Sequence, residues 1–177
     1  MTNSVSKSLQ SFMDIPALSR VRRNHGLEHA TLHVLAEHFP RTSVAGHSDF
    51  NGFWIIGDVS IEDIHDAVRT ALQRLRSGER ELAVHPNCGT NFATSGVAAG
   101  LAASLVMFGA GRRLRDKLER VPLAITLATI ALIAAQPLGM RIQRQITTSG
   151  DPQELEILEI KPTKRRRINA YRIVTTG

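Results

Sequence analysis

Apolar positions are spread along this chain in two distinct ways. Phe92–Ala110 and Val121–Met140 contain no charged residue at all, whereas elsewhere apolar and polar positions alternate with recognisable periods. From Pro16 to about Phe39, the residues Leu18, Val21, Leu27, Ala30, Leu32, Val34 and Leu35 sustain a helical pattern, with Pro16 placed to open the helix and Pro40 to close it. Ser43–Phe50 and Phe53–Val59 read as short strands separated by Asn51-Gly52, a dipeptide suited to a two-residue hairpin turn. Ser60 and Asp63 have the spacing of a capping box ahead of a helix over about Ile61 to Arg76. Its apolar face is Ile61, Ile64, Val68, Leu72 and Leu75, and Gly78 ends it. Glu81–His85 predicts a third strand, and Pro86–Gly89 a tight turn. Leu155–Lys161 and Ile168–Thr175 predict a further β-hairpin, turning near Pro162–Lys164, that could extend the first sheet.

The charge-free segments change this picture. A helix rises about 1.5 Å per residue and a bilayer core is about 30 Å thick, so about 20 apolar residues span it. Both segments reach that length and predict a two-helix transmembrane hairpin, joined by Gly111–Arg120. The competing reading is a buried hairpin in a soluble protein, but so small a fold offers too little apolar surface to cover two helices that are apolar all round. Gly96, Gly100 and Ser104 form a small-residue stripe that lets another helix approach closely, within the hairpin or in a homo-oligomer. The expected class is therefore α+β. The expected order is a disordered stretch over 1–15, an α+β domain over 16–91 (helix, hairpin, helix, strand), the membrane hairpin over 92–140 with spans 92–110 and 121–140, and a basic tail with a β-hairpin over 141–177.

Composition is average over 177 residues, with 42% hydrophobic residues and a mean hydropathy of −0.09. The formal charge of +6 and a pI near 10.4 point to an anionic partner. Arg112, Arg113, Arg115, Lys117 and Arg120 lie between the apolar segments, and Arg141 and Arg144 follow them. That placement favours anionic lipid headgroups over a nucleic-acid groove, so no nucleic acid is expected. The Lys164–Arg167 run suits either partner or a solvated turn. Cys88 is the single cysteine, which excludes an intrachain disulfide. Met1–Ser19 has no apolar core of signal-peptide length. We expect a two-span protein of the cell membrane with cytoplasmic termini, although the basic loop between the spans pulls the other way.

The strongest chemical signal is Asn24-His25-Gly26-Leu27-Glu28-His29. Histidines four apart stand one turn above each other on a helix, and two imidazoles so placed can hold one zinc ion. Glu28 lies beside the pair, positioned to take a proton from a metal-bound water. A third ligand can come from the Val84–Asn91 turn, where His85 and Cys88 are the candidates; Cys88 is alternatively a nucleophile with a histidine base. His33 is a rival ligand one turn beyond His29, and His47 with Asp49 could join if the hairpin packs over the helix. His38 lies beyond reach and His65 faces solvent. The plainer reading is a helix whose histidines are only polar edge residues. Against it, five of the seven histidines lie within Asn24–His47.

His25-x-x-Glu28-His29 resembles the zinc-binding helix of the inverted zincin metallopeptidases over five residues. The resemblance implies His25 and His29 as ligands and Glu28 as general base. It breaks down at the third ligand, because those enzymes use a glutamate on a later helix, and no Asp or Glu occurs between Leu82 and Arg115. A broader likeness joins Asn24–Leu35, Gly52–Val59, Leu75–Glu79 and Leu82–Asn91 to a family of small bacterial membrane proteins of unknown function. Three functions remain in competition: a membrane-anchored zinc hydrolase, peptidase-like; a non-catalytic membrane protein with a structural or regulatory metal; and a lipid- or partner-binding module without metal.

Overall fold

Helix α1 occupies Pro16–His38 in the computed structural model of this protein, which describes residues 13, 15–165 and 168–177. Nearly all of the expected disordered stretch therefore lies outside the described residues. The chain forms two units, one of 1–85 with 144–177 and one of 86–143.

In the first unit, β1 (Val44–Asp49) and β2 (Gly52–Gly57) form a hairpin, and α2 follows over Ile61–Arg76. Ser60 caps the helix as expected, Asp63 N–H donating to its Oγ at 3.1 Å; the Asp63 carboxylate accepts from the Ser60 hydroxyl at 2.6 Å, in place of the backbone N–H that a full capping box would use. Gly78, at φ 102°, ends the helix. β3 (Glu156–Arg165) and β4 (Ile168–Thr176) then join the first hairpin. The result is a four-stranded antiparallel sheet in the order β1-β2-β4-β3. Helices α1 and α2 lay Leu27, Val34, Leu35, Ile64, Val68 and Leu75 against Phe53, Ile55 and Ile173 of the sheet to make the core.

Three expectations need correction here. The β1–β2 loop is Phe50-Asn51, one residue earlier than read, because Asp49 pairs with Gly52. Asn51 N–H donates to Asp49 Oδ1 at 2.8 Å, which shapes the turn locally. Gly52 is needed instead inside the strand, where an added Cβ would come within 3.0 Å of the Ile173 carbonyl carbon. The strand expected at Glu81–His85 is absent; Arg80–Ala83 forms a 3-10 turn. The second hairpin does not turn near Pro162–Lys164: Pro162 pairs with Tyr171 within β3. β3 is an edge strand, where a residue lacking an N–H is tolerated.

The second unit is helical. α3 spans Gly89–Met107 and α4 spans Leu114–Ala134, with α5 over Gln136–Ile142 after a break ahead of Pro137. Both long helices start before the expected segments, and much of the expected connection forms the first turns of α4. Arg120 Nη1 donates to the carbonyls of Val106 and Phe108 at 3.0 and 2.9 Å, so the charge after the loop caps the end of α3. Among the described residues one helix, α3, is long and apolar enough to cross a membrane. α4 and the following segment to Thr147, bent by 42°, also meet that length and composition if they are taken together.

Candidate metal centre

α1 carries the chemistry because three close approaches fix it in place. Asn24 is wholly buried. Its Nδ2 donates to the carbonyls of Asp49 and Phe50 at 2.9 and 3.2 Å, and its Oδ1 accepts from Thr175 Oγ1 at 2.6 Å. The start of the motif is thus pinned to the sheet. On another side, Gly26 lies under the Ser149 backbone, where an added Cβ would sit 3.0 Å from the Ser149 carbonyl carbon and 3.3 Å from Ala83 Cβ. Only a glycine lets the segment after Gln143 come this close. Arg22 holds the same segment, donating to the carbonyls of Gln145 and Thr148 at 3.2 and 3.1 Å, and Ser149 N–H donates to the Arg22 carbonyl at 2.9 Å.

That docking orients the histidines. His25 Nδ1 lies 2.9 Å from the Thr147 carbonyl oxygen, and His29 Nδ1 lies 2.8 Å from that of Ala83. A carbonyl only accepts, so each Nδ1 carries a hydrogen, and the tautomer this selects has its lone pair on Nε2. This is the arrangement by which protein carbonyls orient metal-binding imidazoles. The two rings stand 4.4 Å apart, centre to centre. His29 is 2% exposed.

The row of imidazoles continues. His85 lies 5.7 Å from His29 and 5.0 Å from His33 between ring centres. His33 Nε2 meets the Val84 carbonyl at 2.9 Å, which leaves its lone pair on Nδ1. Burial, with the neighbouring His33 as a smaller cause, pushes the His85 imidazole below its usual pKa, so it is neutral at physiological pH. The row was legible only in part, since spacing placed His33 beside His29 but nothing local places His85 between them.

Glu28 is 4% exposed and faces β1. A Cβ on Gly46 would approach its Cγ and Cδ to 2.7 Å, so the glycine makes room for the carboxyl group. Neighbouring strand residues point oppositely. With Gly46 facing the helix, His47 is exposed on the other side and does not join the cluster. Asp49 is engaged elsewhere, accepting from Arg172 Nη2 and Nη1 at 2.7 and 2.8 Å. His38 Nδ1 stays local, 2.9 Å from the Val34 carbonyl. His65 is half-buried rather than fully in solvent.

In the second unit, Cys88 is the N-cap of α3, its Sγ accepting from Thr90 N–H at 3.5 Å. Asn91 is 7% exposed. It is occupied structurally, donating to the Pro86 carbonyl at 2.8 Å and accepting from Gln143 at 3.3 Å.

The sequence profile of a family described as a domain of unknown function, DUF6391, matches residues 20–160. An uncharacterised protein of Picosynechococcus sp. is 37% identical over 155 residues, covering 80% of this chain and 71% of that protein. No solved structure matches.

Proposed function

The chain belongs to the DUF6391 family, whose domain has no known function, so its activity must be read from its own side chains, and we propose that it is a membrane-anchored zinc hydrolase, peptidase-like. The observation that carries this reading is the pair of backbone carbonyls, at Thr147 and Ala83, that fix the His25 and His29 lone pairs on Nε2. Two ordinary surface histidines would have no need of such fixing. Cys88 is the proposed third ligand. It follows His85 by three residues, so the chain keeps the two within about 11 Å whatever the backbone does. Two imidazoles and a thiolate suit zinc and leave a fourth position for water. The ion would lower the pKa of that water, and Glu28 would accept its proton.

The membrane part of the proposal rests on exposed apolar surface. Val97, Leu101 and Leu105 on α3, Phe108 just after it, and Leu123, Ile125, Ile130 and Ile133 on α4, are all at least half exposed. Such a surface is unfavourable in water and matched by lipid. The basic residues beside the helices would meet anionic headgroups, with the termini on the cytoplasmic side. A Cβ added at Gly96 or Gly100 meets nothing within 4 Å. The small-residue stripe with Ser104 is therefore proposed to serve a second copy rather than the intramolecular hairpin.

The deciding experiment is Glu28→Gln in detergent-purified protein. Zinc content should stay at wild-type level while peptide hydrolysis falls by about 100-fold or more. Zinc retained with no turnover in the wild type would leave a structural or regulatory metal instead, and turnover unchanged in the variant would remove Glu28 as the base.

A further inference from the structure

The outer half of the histidine row is unused by the proposed hydrolase, and it has the geometry of a second site. Imidazoles bound to one tetrahedral zinc, at about 2.0–2.1 Å each, have ring centres roughly 5 Å apart. His33 and His85 are separated by 5.0 Å. His33 keeps its Nδ1 lone pair because its Nε2 hydrogen goes to the Val84 carbonyl. Burial grades along the row: His29 is 2% exposed, whereas His85 and His33 are half-buried. His85 is in ring contact with both neighbours, at 5.7 Å from His29 and 5.0 Å from His33.

We propose that His33 and His85 form a weaker divalent-metal station that captures the ion from solvent and passes it inward to the His25/His29 site. This rests on the metal reading given above. The transfer is ligand exchange alone. The arriving ion gives up water molecules for the two imidazole lone pairs, then exchanges those for Nε2 of His29 and His25, and no bond within the chain breaks. With only two protein ligands the outer station holds the ion loosely, as a relay requires, while the inner pair with its third ligand holds it tightly.

The test uses full-length protein in detergent, stripped of metal and mixed with Co2+ while bound ion is followed by absorbance. Wild type should load its tight site quickly and take up a second, weaker equivalent at higher Co2+. His33→Gln and, separately, His85→Gln should still fill the tight site but lose the weak equivalent and load about tenfold more slowly or worse. Helical content by circular dichroism identifies a variant that has failed to fold, and the other variant then decides. Loading within twofold of wild type in a folded variant, with the weak equivalent retained, overturns the relay while leaving the tight site intact. A wild type that binds no ion overturns both.

Discussion

His29 directs its Nδ1 hydrogen at the Ala83 carbonyl, 2.8 Å away, across 54 positions of sequence. The contact holds the imidazole against the 3-10 turn and decides which nitrogen can bind a metal. His29→Ala should therefore remove the tight-binding ion, measured by elemental analysis of purified protein. It should also lower stability by about 1–3 kcal/mol, since a buried carbonyl loses its donor. Metal content equal to wild type would exclude His29 as a ligand.

Cys88 makes a spectroscopic prediction. With Co2+ in place of zinc, a thiolate ligand gives a ligand-to-metal charge-transfer band in the near ultraviolet, which imidazoles alone do not. Wild type should show that band and Cys88→Ser should lack it. A band-free wild-type spectrum with cobalt bound would remove Cys88 from the ligand set and leave His85 as the third donor to test.

The Gly26 contact predicts a steric effect. Ala is the better helix former by nearly 1 kcal/mol, yet Gly26→Ala would drive a methyl group into the Ser149 backbone. Net destabilisation of about 1–3 kcal/mol is expected in urea unfolding of the detergent-solubilised protein. Unchanged or raised stability would mean that the segment does not lie against the helix.

Asp49 links stability to pH. Burial alone would raise its pKa, but the hydrogen bonds from Arg172, with help from Asn51 N–H, hold it below the ordinary carboxylate value. A carboxyl group with a depressed folded pKa stabilises the fold above its unfolded pKa of about 3.9 and loses that contribution as pH falls through the folded value. Its side chain is 41% exposed, so solvent screening keeps the effect below about 1 kcal/mol. Asp49→Asn should reduce stability at pH 7 and flatten its decline below about pH 4. A variant with the same acid decline as wild type would show that the ion pair contributes nothing.

Exposed leucines and isoleucines on α3 and α4 predict retention in the membrane fraction after alkaline carbonate washing, with release only by detergent. Recovery in the carbonate supernatant would refute the membrane anchor.

What the sequence revealed was chiefly local. α2 begins and ends where Ser60, Asp63 and Gly78 indicate, because a cap needs only neighbours a few residues away. The His25/His29 pair follows directly from helical spacing. Readings failed where distant backbone intervened. Glu81–His85 has a strand's composition, but the Ala83 and Val84 carbonyls accept from His29 and His33 rather than from a neighbouring strand. Gly52 suggests a turn, yet its lack of a side chain serves contact with Ile173, more than a hundred residues later. The hydrogen bonds that set the His25 and His29 tautomers involve main-chain oxygens, which leave no residue-type signature. His47 was ruled out by its direction on the strand, which depends on how the strand lies on α1.

The order β1-β2-β4-β3 also bears on how this protein is made. β4 fills an interior place in the sheet, yet the ribosome reaches it only after α3 and α4 have been synthesised. Until then β2 has an open edge, and Phe53 and Ile55 lack the cover that Ile173 gives them. Folding of the first unit therefore cannot finish until β4 emerges, and a nascent chain stalled before that point exposes a sticky strand to chaperones and to its own neighbours.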